Sequence, residues 1–593
     1  NETDENIELR VGISPVSTEG ALNNLITETK GKSFDEIKQE SQENWNIVLS
    51  KIKVKSKDES KLRSFYSALY HSYLQPNNYS DVDGKYRGMD KKIYQTKNFT
   101  NYTVFSLWDT YRTWHPLMTI LEPELCNNFV NVFLDMYDKG GLLPVWELAA
   151  NETFCMSGYH SVSVIADAYA KGINDFDQEK ALEAMINSAM QNKFGLSAYR
   201  KYGHITGDKE HESISKTLEY AYDDWCIAQM AKDMGKEDIY KEFIKRAQFY
   251  KNIFDPSTGF MRPKLNGSWL TPFDPTRVDW HFTEANSWHY SFYVPHDVSG
   301  FIKLHGGKDK LESKIDEMFT TKDKISGRDM KDITGLIGQY AQGNEPSHHI
   351  AYLYNYVESP WKTQQRVRQI MDNLYSDKPD GRAGNEDCGQ MSAWLVMSAM
   401  GFYPVTPGST DYIIGTPWFD ETTISLNNGN VFTVTARNVS AKNFYIQSAK
   451  LNGKDYNKSY IKHEDIINGG NLEFIMGDKP NKSWGIGDGN YPISEITDEL
   501  IVISPVFSSN DSRFIDEITV EISTLTNNAE VYYTVDGSTP DNNSIKYSAP
   551  IKIDRTTEIN AVAYHKDYGY SYAVTANYYK LDFNKSINIL SKN

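Results

Sequence analysis

The chain has 593 residues, of which 24% are charged and 39% hydrophobic, and a formal net charge of −17. That is a soluble, globular balance with room for several domains. So acidic a chain repels phosphate backbones, which makes nucleic acid a poor partner, and no stretch reaches the roughly 18–20 uninterrupted apolar residues of a membrane span. Its cysteines, Cys126, Cys155, Cys226 and Cys388, form no Cys-x-x-Cys pair, which argues against a zinc or redox centre.

The sequence opens Asn1-Glu2-Thr3, with neither Met nor an apolar targeting segment. This is expected of a chain whose leader was removed or that was cut from something longer. From about Phe34 to about Tyr403 apolar residues recur at 3–4 spacing. The spacing predicts helices over Phe34–Val54, Lys61–Leu74, Tyr111–Ile120, Glu124–Tyr137, His160–Ala170 and Gln178–Met190. It continues with Thr217–Met234, Asp238–Phe254, Trp288–Leu304, Leu311–Phe319, Ser347–Val357, Thr363–Leu374 and Gln390–Met400. About a dozen helices joined by long loops suggest a mainly α fold with some β: an (α/α)6 toroid of paired inner and outer helices. Loops at one end of such a ring build a pocket. An irregular helical bundle is the alternative.

After Pro404 the pattern alternates. Tyr412–Ile414, Thr422–Ser425, Asn430–Ala436 and Asn443–Leu451 read as strands of a small β region, with Asn452-Gly453 among its turns. A third segment, from about Ser504 to Phe583, carries strands at Ile518–Ile522, Glu530–Val535 and Glu558–Tyr564.

Five loops between the predicted helices concentrate acids, imidazoles, aromatics and glycines. They are Ser106–Pro116, Gly140–His160, Thr283–Asp297, Gln342–His349 and Gly384–Gln390. Glycoside hydrolysis needs one protonated carboxyl to donate to the leaving oxygen, and a second, ionised one to attack or to activate water. Glu284, Glu345, Glu386 and Asp387 are acids that these loops place beside aromatics. Clustered carboxylates raise one another's pKa, which suits the acid role. Carboxylate and amide oxygens suit a hard cation such as calcium, whereas no zinc-spaced His array and no phosphate loop occurs. Asp109 could equally cap a helix.

Taken together, the segments Leu107–Arg112, Cys155–Ala168, Asn286–Asp297, Gly343–His349 and Gly384–Pro404 resemble, in order, glycoside hydrolase family 92. That family comprises calcium-dependent exo-α-mannosidases that invert anomeric configuration. The likeness extends from about Val11 to about Pro417. It implies a β-sandwich followed by an (α/α)6 domain, with the active site between them. Val11–Ser17 resembles the last strand of that sandwich, so the N-terminal family domain is expected to be missing from these residues. The stretch Val531–Pro540 resembles the C-terminal β-sandwich of chitobiase and other secreted glycosidases. The expected organisation is 1–30 sandwich end and linker, 31–408 catalytic toroid, 409–500 small β region and 501–593 C-terminal sandwich.

Carried over residue by residue, the resemblance puts the general acid on Glu284, which opens a Glu-x-Asn-x-Trp block. It puts the general base on Asp387, in a Gly-x-Glu-Asp-x-Gly block whose Asn385 stands where many members have Asp. Glutamate rather than glutamine at 284 favours ordinary mannosides over mannosyl phosphates, because a leaving sugar alkoxide needs a proton. Asn344 and Glu345 become the calcium ligands, and Trp108, Asp109, Met156 and His348 hold the terminal sugar. An inverting pair would stand roughly 6.5–9.5 Å apart. The partners implied are mannose-containing glycans. Gln342-Gly343, in place of a larger polar pair associated with α-1,2-specific members, leans toward α-1,3 or mixed linkage. A secreted, periplasmic or cell-surface location follows from the substrate class and the tail. A non-catalytic carbohydrate-binding surface protein would share the aromatic loops and the sandwich, but pure binding needs no acid and base.

Overall fold

The computed structural model describes residues 7–581; the outer parts of the expected 1–30 and 501–593 segments, at 1–6 and 582–593, lie outside the described residues. The architecture is mainly α with β, an (α/α)6 ring followed by strand-rich parts. Helices of the inner ring are buried nearly all round. Gln390–Met400 has all of its residues buried, and Ser161–Ala170 and Ser213–Asp233 come close to that. Helices apolar on every side belong inside a structure. Outer helices such as Glu237–Arg246 are amphipathic and lie against them. Gln390–Met400 packs on Glu59–His71, which brings the end of the ring back to its beginning.

Gln178–Met190 and Gln390–Met400 run as their spacing predicts. Other expected helices are interrupted. The helix from Phe34 begins on a Ser33–Glu36 capping box but stops at Leu49. Ile52–Lys55 is a strand instead, its apolar Ile52 and Val54 alternating with lysines, and it pairs antiparallel with Glu421–Ser425. Trp288–Leu304 divides into Ser287–Tyr290, a 3-10 turn at Pro295–Asp297, and Val298–His305. Pro295 cannot continue a hydrogen-bonded helix. Ser347–Val357 is two 3-10 turns, Glu345–Ser347 and Ile350–Asn355. Tyr111–Ile120 divides into Leu107–Thr110 and Trp114–Leu121. At the N-terminus, Val11–Ser17 is not a strand, since no described segment pairs with it. Ser17 caps the helix Thr18–Thr29, accepting from the Gly20 amide, and Leu9, Val11 and Ile13 stay exposed.

Beside a three-stranded sheet of Phe402–Tyr403, Asp411–Ile414 and Tyr460–Lys462, the β region holds a six-stranded sheet in the order Ile52–Lys55, Glu421–Ser425, Val431–Arg437, Gly470–Gly477, Tyr445–Leu451 and Lys454–Asp455. It therefore includes a strand from the N-terminal end of the ring. The third part holds a sheet built on Glu530–Thr534, Thr557–His565 and Val574–Lys580, with its own apolar core around Ile559, Ala561 and Tyr578. It is fastened to the ring by backbone pairing of Ser268 with Phe507 and by Tyr572, which packs edge-on against Phe249.

Candidate active site

Three loops from separate parts of the ring bring carboxyl groups together at its mouth. Oxygen atoms of Asp109, Glu345 and Asp387 lie within 4.8 Å of one another. Asp109 is inside the first turn of Leu107–Thr110, where its carboxylate accepts from the Ser106 hydroxyl rather than capping the helix. Glu345 opens a 3-10 turn and is 2% exposed; its Oε1 finds no partner among the described residues. Burial, and then the Asp387 and Asp109 charges, push the Glu345 carboxyl well above the ordinary range. Asp109 is raised for the same two reasons, burial first and Asp387 next. Three such groups cannot all ionise side by side in a place screened from water unless a cation joins them. A buried acceptor with no partner, a set of hard oxygens and surplus negative charge together fit a divalent cation of the calcium type.

Glu284 stands at the rim of this cluster. The Asn344 side-chain amide donates to the Glu284 carbonyl at 2.8 Å, joining the acid-bearing loop to the Glu345 loop. Burial and the charges of Asp332, Asp387 and Glu212 push the Glu284 carboxyl up to about 7. Asp332 also accepts from the Asn385 amide at 3.0 Å. Asp387 is raised by burial, while a hydrogen bond with Glu345 acts against that.

Beneath the carboxyls lies a buried ionic network. The Arg112 guanidinium meets Glu219 Oε1 at 3.1 Å, and His160 lies 3.1 Å from Glu219 Oε2 and 2.8 Å from Asp223 Oδ1. The Trp108 indole N–H donates to Glu219 at 3.1 Å, and the Tyr290 hydroxyl does so at 3.2 Å. Burial alone would raise Glu219, but Arg112 and His160 outweigh it and hold the carboxyl down at about 2. Glu219 and Asp223 lie on Ser213–Asp233, a helix whose acids carry no loop signature, so the sequence offered no reason to single them out.

The profile of the glycosyl hydrolase family 92 catalytic domain matches residues 20–478. The chain belongs to glycosyl hydrolase family 92. An Fn3-associated profile matches residues 520–578, in the C-terminal sandwich. The chain is 28% identical over 536 residues to an uncharacterized secreted glycosidase of Arthroderma benhamiae, covering 82% of this chain and 63% of that one. It is 44% identical to a family GH92 α-mannosidase of Bacteroides thetaiotaomicron solved with mannoimidazole, over 81% of this chain and 64% of that one, with a TM-score of 0.79. A family GH92 inverting mannosidase of Bacteroides thetaiotaomicron VPI-5482 is 36% identical, over 81% of this chain and 68% of that one, with a TM-score of 0.76. The chain thus spans under two thirds of the length of the first two relatives.

In this family 92 chain the residues singled out from the sequence fall in different layers of one site. Glu284, Asn344, Glu345, Asp387 and Asp109 share its mouth. Met156 is half-buried on the turn after Cys155, at a φ of +72°. Trp108 is 1% exposed and lies beneath, under the Arg112 guanidinium. His348 differs from expectation. Its Nε2 donates to the Gln342 carbonyl at 3.0 Å, and its Nδ1 accepts from the Gln390 amide at 3.1 Å. Both ring nitrogens are engaged, so His348 seats the loop and offers a sugar hydroxyl no ring nitrogen. Arg112 and His160 lie inside two of the motif loops, so their place in the network was within reach of the sequence; Asp332 was not.

Proposed function

We propose that the protein is a calcium-assisted exo-α-mannosidase that acts with inversion, Glu284 being the general acid and Asp387 the general base. The observation that carries this reading is the raised Glu284 carboxyl beside the Asp109–Glu345–Asp387 cluster, one acid kept protonated near neutrality next to acids that a cation can keep ionised. The mannosidase relatives support it. Asn344, Glu345 and Asp109 would hold calcium. When bound, the ion supplies charge to a sugar's vicinal hydroxyls as an oxocarbenium-like state develops.

Glu284 gives its proton to the glycosidic oxygen as the bond to the anomeric carbon breaks. Asp387 takes a proton from water as the water oxygen bonds the same carbon from the opposite face. Asn344 fixes the backbone that carries Glu284. Met156 bounds the place for the terminal sugar, and Trp108 backs it from the layer beneath. Linkage is read as α-1,3 or mixed, on mannose-containing glycans. The secreted Arthroderma relative supports a secreted, periplasmic or cell-surface location; among the described residues no helix is long and apolar enough to cross a membrane. The working boundaries are 31–408 for the toroid, 409–500 for the β region and 501–593 for the sandwich, with the strand Ile52–Lys55 shared between the first two.

The test is incubation of the protein with α-mannobioses of each linkage, with calcium or with a chelator, while NMR follows the product anomer from the first turnover. β-Mannose that ceases on chelation and returns with calcium is the expected result. No turnover of any mannoside would refute the assignment, and α-mannose appearing first would overturn the roles of Glu284 and Asp387.

A further inference from the structure

Away from the carboxyl cluster, a cleft of about 440 Å³ opens where the helical ring meets the C-terminal sandwich. Tyr202, His204 and Thr206 line it from the ring, and Thr539, Glu558 and Asn577 from the sandwich. Its walls are fixed with respect to each other. The Asn266 amide donates to the Asn577 carbonyl at 2.9 Å, and the Asn577 N–H returns a bond to Asn266 Oδ1 at 2.7 Å. Gly267 leaves no room for a side chain, since a Cβ there would lie 2.7 Å from the Phe507 ring. The volume suits a saccharide unit or two.

The floor states what kind of ligand fits. His204 is 1% exposed, and its Nδ1 lies 3.1 Å from the Tyr202 carbonyl, which can only accept. Nδ1 therefore carries the proton, and Nε2 presents a lone pair. Burial and the nearby Lys264 charge push the imidazole pKa down to about 3, so the ring stays neutral. Nε2 is buried and has no hydrogen-bond partner among the described residues. An unsatisfied buried acceptor asks for a donor. Thr206 Oγ1 and the nearby Lys264 Nζ are likewise buried with no hydrogen-bond partner among the described residues, so the ligand must accept as well as donate; a hydroxyl does both, whereas a phosphate or carboxylate would set lone pair against lone pair at Nε2. A metal ion would need anionic ligands beside Nε2, and of the two acids in the lining, Asp208 and Glu558, the first is paired with Lys209. The lining charges balance in sign: Lys209 pairs with Asp208 at 3.1 Å, and Lys201 and Glu558 add one charge of each sign. What remains is a neutral ligand rich in hydroxyls.

We propose that this cleft is a second saccharide-binding site, apart from the active site, in which a sugar hydroxyl donates to His204 Nε2. The C-terminal sandwich thereby takes part in substrate capture as one wall of a composite site. The inference stands independently of the roles given to Glu284 and Asp387.

Hydrogen–deuterium exchange on the full chain carrying Glu284→Gln, with α-mannotriose as the probe and inorganic phosphate as the anionic comparison, tests this. Mannotriose should protect segments 201–209 and 573–577, and phosphate should not. His204→Phe should weaken that protection about tenfold in affinity, as expected for one buried hydrogen bond. Thr539→Trp, an exposed position, should fill the cleft and abolish it. Unchanged exchange of both variants without sugar shows that they fold. Absence of protection in these segments, whatever the active-site loops do, overturns the proposal. So does protection by phosphate, or protection that survives both substitutions.

Discussion

Glu284 and Asp387 both hold left-handed backbone, at φ of +49° and +52°, and Met156 and Cys388 do so nearby at +72° and +54°. Non-glycine residues there cost about 1–3 kcal/mol each and persist where the surroundings over-determine them. Glu284→Gln retains the shape and removes the proton; kcat on mannobioses should fall by about 10²–10⁴, and far less on an aryl mannoside whose leaving group needs no proton. The pH profile carries the same signature. Glu284, raised to about 7, must be protonated, so activity declines as pH rises through that value. Asp387 must be ionised, which sets the acidic limb. In Glu284→Gln the basic limb should vanish. Asp332, whose charge acts on Glu284 directly, strengthens the effect, and it also accepts from the Asn385 amide.

At the scale of elements, the site depends on two loops lying in contact. A Cβ on Gly384 would come 2.4 Å from the Gly343 carbonyl oxygen, and Gly384 is itself at a φ of +76°. Gly343 precedes Asn344 and Glu345, and Gly384 precedes Asp387, so this contact sets the distance between cation ligands and base. Gly384→Ala should separate the loops, lowering kcat and calcium affinity together, with thermal stability reduced by about 1 kcal/mol or more. A calcium titration of the variant reads both. Much of this was legible beforehand: the glycines and acids stand out as loop motifs, and the family resemblance names most of the mouth. The network below was not. Glu219 and Asp223 are mid-helix acids that look like solvated charge until the ring closes over them, and His348 looks like a ligand until its two nitrogens are traced. Helix periodicity likewise passed over Ile52–Lys55, because its partner lies in a distant segment.

Across the whole molecule, the buried network links protonation to stability. Burial lowers the His160 pKa, but the Asp223 and Glu219 charges outweigh it and raise the group to about 9. An unfolded histidine titrates near 6.5. A raised folded value means the charged ring stabilises the fold fully below about pH 6.5, and that this contribution is lost as pH rises through about 9. The melting temperature should therefore decline across that window, and His160→Gln should flatten the decline even as it lowers stability throughout. A pH series of calorimetric scans compares the two slopes.

The shared sheet also has a consequence for synthesis. Ile52 pairs with Ile424, so the ribosome delivers the strand roughly 370 residues before its partner. At about 5–20 residues per second, that interval is roughly 20–75 seconds. Throughout it the first helices have neither the sheet nor Gln390–Met400 to cover them. The capped helix at Phe34–Leu49 has no fully buried residue, and its Trp45 packs on Tyr70 of the helix that follows, so it can stand in water while the rest arrives.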